Sequence, residues 1–227
     1  MAGRIAYYGN IVKDGLILDL DAAKRDSYPG TGTTWYDISG NGYNGILTNG
    51  PTFDSTQQGS IVFDGTNDYV FTGSIGTLSS TTLISFIKRN GNQPDYAGIL
   101  CNRNQSNITT FFGTLLLSNQ LISYWGNVQK STVATVPDSV WCMTAFSVTP
   151  TSSTLYLYSP NGISSATSVS SHGSTLTTNI WIGWEGSTSF SRYFKGNIAT
   201  SMIYNRALSQ AEITQNYNAL KSRFGLT

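Results

Sequence analysis

The chain has 227 residues and a formal net charge of +1, and only 11% of its residues are charged, against roughly a quarter in ordinary soluble domains. No Lys/Arg cluster offers the footprint of a phosphate backbone, and no segment approaches the ~20 apolar residues of a membrane span. Neither nucleic acid nor membrane insertion is therefore expected, while the 12% aromatic share supplies enough large side chains for one core.

Residues 1–13 carry Ile5, Tyr7, Tyr8, Ile11 and Val12 around a Gly9-Asn10 break. An exposed apolar arm is a liability in a monomer, so this one is expected to add a strand or to dock on a neighbouring subunit through Ile5, Tyr7, Tyr8 and Ile11. The domain proper then runs over 14–227. Leu16, Leu18 and Leu20 alternate with Ile17 and Asp19, as on a half-buried strand. The next stretch, 26–34, is rich in Gly, Pro, Ser and Thr and reads as a turning connection.

Residues 35–45 form the densest turn signal, with Gly40-Asn41-Gly42 allowing tight bends and the Asp37 and Ser39 side chains placed to bond the exposed amides. Asp37, Asn41 and Asn44, with turn carbonyls, also offer the oxygens that Ca²⁺ takes. Short apolar runs follow at 46–47, 52–53 and 61–63, then a hairpin over 64–68 returning through Tyr69 and Phe71. Further strands are expected at 82–88, 97–101, 111–117, 121–125, 140–148, 155–158, 180–184, 193–194 and 198–204. The Ser/Thr-rich piece 164–178 reads as polar loop, with His172 as a solvated member of it. Strands at this spacing with no helix among them predict an all-β fold of two antiparallel sheets.

One helix is predicted, over about 209–223. Ser209 and Glu212 have the spacing of a capping box. Ile213, Tyr217, Leu220 and Phe224 make one apolar stripe, and Gly225 ends it.

The corner Asp37-Ile38-Ser39-Gly40-Asn41-Gly42, the hairpin Phe63-Asp64-Gly65-Thr66-Asn67-Asp68-Tyr69-Val70, and the closing Gly196-Asn197-Ile198 with Ile203-Tyr204-Asn205-Arg206-Ala207-Leu208-Ser209 together resemble the signature of laminin-G-like domains. The resemblance covers about residues 14–220 and implies a concanavalin A-like jelly-roll sandwich of the lectin-glucanase superfamily. In such relatives an acidic residue just after the Gly-x-Ile completes a calcium site, and this chain has Ala199 there. The run Tyr8-Gly9-Asn10-Ile11-Val12-Lys13-Asp14-Gly15-Leu16 is similar to phage-encoded versions of the domain.

Catalysis finds little support. The glycosidases that resemble this fold carry Glu-x-Asp-x-x-Glu on one strand, whereas the two glutamates here are Glu212, the cap residue, and Glu185, which stands alone after Trp184. Cys101 and Cys142 lack metal-ligand spacing; buried free thiols are the preferred reading and a disulfide the other. Trp35, Trp141 and Trp181 read as core. Trp125, Trp184 and Tyr193, each beside polar loop residues, are candidates for stacking on a sugar ring, with core packing as the competing reading for the two tryptophans.

The expected function is a non-enzymatic structural and adhesion protein on the virion surface of a tailed bacteriophage, as capsid decoration, head fibre or tail-associated subunit. An N-terminus without the apolar run of an export signal fits such a chain, made in the host cytoplasm and displayed later. Its expected partners are other virion proteins or further copies of itself, and host-surface glycans. No cofactor is expected, a structural Ca²⁺ being the exception. The alternative function is a carbohydrate-binding module recognising cell-surface glycans.

Overall fold

The computed structural model describes residues 10–104, 107–173, 175–177 and 179–226, with backbone alone at 104, 107–110 and 175–177. Ile5, Tyr7 and Tyr8 lie outside the described residues. In chain order the strands are β1 (Leu16–Asp21), β2 (Thr34–Trp35), β3 (Gly45–Thr48), β4 (Thr52–Asp54), β5 (Ser60–Asp64) and β6 (Tyr69–Gly73). There follow β7 (Gly76–Leu78), β8 (Thr81–Arg89), β9 (Ala97–Asn104), β10 (Asn107–Leu117), β11 (Gln120–Trp125) and β12 (Val128–Thr135). The last are β13 (Trp141–Val148), β14 (Ser152–Ser159), β15 (Gly162–Val169), β16 (Thr175–Thr177), β17 (Ile180–Ile182) and β18 (Lys195–Tyr204). Helix α1 (Gln210–Leu220) then runs into a 3-10 turn at Lys221–Phe224.

Two sheets result. The first has the order β15-β14-β13-β8-β18-β5-β4, with β1 paired to the second half of β18, and the other has the order β12-β11-β10-β9-β17-β6-β3-β2. Pairing is antiparallel throughout the described strands. This is the two-sheet sandwich expected from the sequence. Trp35, Phe63, Phe112, Trp125 and Phe146 fill the space between the sheets.

The near-continuous apolar character of 82–88 has a physical cause. Leu83 and Ile87 on β8, like Cys142 and Phe146 on β13, face the other sheet. Ile84, Phe86, Trp141 and Met143 point the opposite way, into a second apolar cluster under the helix. Strands buried on both faces lose the apolar/polar alternation that marks a one-sided strand. Phe224 stacks on Phe86 at 4.8 Å and lies 4.6 Å from Trp141, while Tyr217 lies 4.8 Å from Tyr158. The capping box that starts the helix is complete: the Ser209 hydroxyl accepts from the Glu212 N–H and the Glu212 carboxylate accepts from the Ser209 N–H.

The first described residues rest on this same face. The Val12 N–H donates to Asn216 Oδ1 at 2.8 Å and the Tyr204 hydroxyl donates to the Val12 carbonyl at 2.9 Å. Ile11, proposed as an interchain contact, packs here against its own chain.

Three expectations need correction. Residues 164–178 are not all loop: β15 is the edge strand of the first sheet, its residues alternately exposed and half-buried, and β16 pairs with β7. An edge strand needs only backbone partners on one side, so Ser and Thr serve as well as Val. The exposed edge strand β12 went unread for the same reason. Residues 193–194 form no strand, only a bridge from Tyr193 to Trp184. His172 is not solvated: it is 3% exposed, its Nε2 lies 3.2 Å from Ser153 Oγ, and its ring meets Trp125 edge-on. Burial, helped by Lys130, pushes its pKa down.

Candidate functional site

The helix closes the outer face of the first sheet, and the outer face of the second sheet carries the functional candidates. Residues directly opposite in adjacent antiparallel strands share a face. The register therefore sets Tyr124, Gly113, Cys101, Trp181, Phe71 and Ile46 in one row across six strands, from β11 to β3. At one end of the row lies a pocket of about 220 Å³ lined by Tyr96, Arg103, Phe111, Leu115, Tyr124, Asn127, Glu185 and Arg192.

Its polar wall is an ion triad. Glu185 is fully buried; Arg103 Nη1 bonds its Oε2, and Arg192 Nη1 lies 3.5 Å from its Oε1. Burial pushes the Glu185 carboxyl above its ordinary pKa, against the downward pull of Arg103 and Arg192. The guanidiniums also rest on rings, Arg192 at 4.7 Å over Tyr96 and 4.2 Å over Phe190, Arg103 at 5.6 Å over Phe111. Such contacts hold cations in fixed orientation while leaving their edges toward solvent. Tyr124 leans on Phe111 at 5.5 Å and on Tyr96 at 6.3 Å, which completes an aromatic wall.

The backbone brings these residues together from distant stretches. Strand β17 inserts between β9 and β6, and the connection after it is tied to β9 by Gly183 N–H to Ile99 O and by Gly98 N–H to Arg192 O. At Gly98 a side chain has no room, since a Cβ there would sit 2.2 Å from the Trp184 carbonyl carbon and 2.3 Å from the Glu185 nitrogen. That close approach is what seats Glu185 beside Arg103.

Of the residues singled out as sugar-stacking candidates, Trp184 and Tyr193 come together and Trp125 does not. Trp184 stacks on Tyr193 at 5.3 Å and touches Trp181 and Tyr69, next to the pocket. It is 4% exposed, and Tyr193 is half-buried. Trp125 lies in the core between the sheets, its indole N–H donating to the Gly173 carbonyl. Arg103, Arg192, Tyr96, Phe111 and Tyr124 were not found by sequence reasoning. Glu185, read as isolated, is the centre of the site.

The calcium candidates do not fit a hard cation. Asp37 Oδ1 accepts from the Asp19 and Ser39 N–H groups and Oδ2 from the Ser39 hydroxyl and the Tyr43 N–H. Asn44 Oδ1 accepts from the Asp37 N–H, and Asn41 turns its amide nitrogen to the Ile17 carbonyl. The side-chain oxygens of Asp37 and Asn44 are thus committed to bracing a bend that passes through positive φ at Gly40 and Gly42. Among the described residues no group of three His, Cys, Asp or Glu is placed to hold a metal. Cys101 and Cys142 are buried free thiols, with the Cys142 pKa pushed up by burial to about 12.

An antiparallel sandwich closed on one side by a helix and carrying an aromatic-walled pocket on the other defines a domain of the lectin jelly-roll class. Residues 64–214 match the model of the concanavalin A-like lectin/glucanases superfamily, and the chain belongs to that family. No curated protein sequence matches it.

Among solved structures it is similar to domain 4 of AbnA, an extracellular GH43 arabinanase of Geobacillus stearothermophilus, solved with arabinotriose. The TM-score is 0.65 and the identity 15%, over 90% of this chain and 98% of that one. It is similar to Trypanosoma rangeli sialidase at TM-score 0.68 and 11% identity, over 92% of this chain and 33% of the enzyme, so it spans about a third of that protein. The binding domain of botulinum neurotoxin serotype D matches at TM-score 0.65 and 12% identity, over 91% of this chain and 52% of that one. At these identities the likeness is one of fold.

Proposed function

We propose that the protein is a non-enzymatic adhesion module that binds glycans on the open face of its second sheet. The observation that carries this reading is the pocket itself, lined both by the rings of Tyr96, Phe111 and Tyr124 and by the fixed polar groups of Arg103, Glu185 and Arg192. Sugars present apolar C–H faces and a rim of hydroxyls, and a site for them needs both kinds of wall. Sugar-bearing company in the fold, such as the arabinanase domain solved with arabinotriose, agrees with it. Glu185 is the one acid lining the pocket among the described residues, and both arginines engage it. Hydrolysis across a sugar ring takes two carboxyl groups.

A glycan array followed by titration tests the proposal. Binding that weakens about tenfold or more in Tyr124→Ala, with the variant still folded by circular dichroism, supports it. An array blank for the wild type, or binding that ignores Tyr124→Ala, sinks it.

The virion-surface reading is kept as a second proposal because of where the chain enters. Val12 lies in the apolar cluster under the helix, on the side of the sandwich away from the pocket. A tether on that side leaves the pocket facing outward. Deleting residues 1–9 should abolish incorporation into particles while the sandwich stays folded; unchanged incorporation would count against the proposal.

A further inference from the structure

The lining of the pocket is not electrically neutral. Two arginines stand against one glutamate, a formal +1 in a chain whose total is also +1. An ion pair of Arg103 with Glu185 alone would satisfy the buried carboxylate; the second guanidinium, Arg192, adds a cation beyond what charge balance requires. Neither arginine is sealed off, since their side chains remain 16% and 24% exposed while the Glu185 side chain is 0% exposed. The acid is thus at the back of the site, and the guanidinium edges are the charged groups a ligand meets first.

Arginine suits this position because its planar fork matches a carboxylate or sulfate, and because it stays charged at any working pH. Stacking on Tyr96, Phe190 and Phe111 and pairing with Glu185 fix the fork before ligand arrives. Binding then costs less side-chain entropy than a free surface arginine would lose. The volume of about 220 Å³ is below the ~300 Å³ at which pockets for drug-sized ligands begin. One terminal ring fits that space better than a run of them.

We infer that the pocket selects an acidic saccharide, a terminal sugar carrying a carboxylate or sulfate group that pairs with Arg192 and Arg103 while its ring lies against Tyr124. Glu185 is a positioning residue, holding the two guanidiniums at the spacing the anion meets. The inference rests on the glycan reading above, and it narrows that reading to one chemical class.

The test is titration of the full chain with N-acetylneuraminic acid, glucuronic acid and galactose 6-sulfate against neutral galactose and glucose, at low and high NaCl. Binding of at least one acidic sugar, ahead of the neutral ones and weakening as salt rises, supports the inference. Arg192→Gln should lower that affinity roughly ten- to a hundredfold, the worth of one or two charge-assisted hydrogen bonds, and Arg192→Lys should restore only part of it. The salt series on the unaltered protein keeps the test decisive should Arg192→Gln fail to fold. Neutral sugars bound as well as acidic ones, with salt and Arg192→Gln without effect but Tyr124→Ala damaging, would overturn the acidic class and leave the glycan reading standing. No saccharide of either kind bound would overturn both.

Discussion

Arg192 Nη1 and Glu185 Oε1 lie 3.5 Å apart on the same connection between β17 and β18, and Arg103 of β9 closes on the other carboxylate oxygen. The pair makes the pocket wall one electrostatic unit. Removing the acid leaves two guanidiniums repelling each other over rings. Glu185→Ala should therefore cost about 3 kcal/mol, at the low end of what breaking a buried pair costs because the arginines keep some solvent. Urea denaturation measures it; a loss under about 0.5 kcal/mol would show that the triad does not hold the wall together.

Gly98 is where β9 accepts the segment that carries Glu185. A methyl group there would lie 2.2 Å from the Trp184 carbonyl carbon, a contact that forces backbone to move. Gly98→Ala is expected to unseat Glu185 and to lose at least about 1 to 3 kcal/mol, the usual cost of overpacking. A crystal structure of the variant with the Arg103–Glu185 contact intact would refute this.

Helix α1 should be acid-sensitive at its start. The Arg206 guanidinium and the Ser209 N–H hold the Glu212 carboxyl at about 2, below the ordinary 4.5. An acid whose pKa is depressed by folding contributes stability that is full above about pH 4.5 and fades as pH falls through about 2. The gap in melting temperature between wild type and Glu212→Gln should accordingly be wide at pH 7 and narrow by pH 2.5. Ser209→Ala, which strips the cap, is expected to cost about 1 kcal/mol at neutral pH. A gap that does not change with pH would argue against the assignment.

The corner at residues 37–44 is braced by its own side chains. Asp37→Ala removes the acceptor for three backbone N–H groups and the Ser39 hydroxyl and should cost roughly 2 to 4 kcal/mol at about 1 kcal/mol per bond. Ca²⁺ titration of the wild type should give no heat and no shift in melting temperature. A stabilisation that saturates with Ca²⁺ and vanishes in Asp37→Ala would overturn that account.

What could be read from the sequence was what is encoded locally. The Ser209–Glu212 cap and the turn bonds from Asp37 to Ser39 and Tyr43 involve partners within a few residues, so spacing alone announces them; the tie from Asp37 back to the Asp19 N–H is not of that kind. The stripe of Ile213, Tyr217 and Phe224 was legible because one helix face repeats along the chain. Strand β15 was missed, since pairing at an edge asks little of its side chains and Ser and Thr carry no apolar signal. The pocket was invisible for another reason. Arg103 and Glu185 are 82 positions apart and become neighbours only because β17 slots in beside β9. The spacing of catalytic acids is silent on Glu185, whose partners are cations, one from β9 and one from seven residues further along its own connection. Trp125 and Trp184 stand in equally polar sequence contexts, yet one faces the core and one the open sheet.

Val12 and Leu226 share the apolar cluster under α1, so the chain enters and leaves the described domain on the same side. Any scaffold that holds the molecule from there, by either terminus, aims its pocket at whatever stands opposite. Repeated across a surface, such copies would grip together, and linked sites multiply a feeble single contact by roughly a hundredfold or more without any new bond being made.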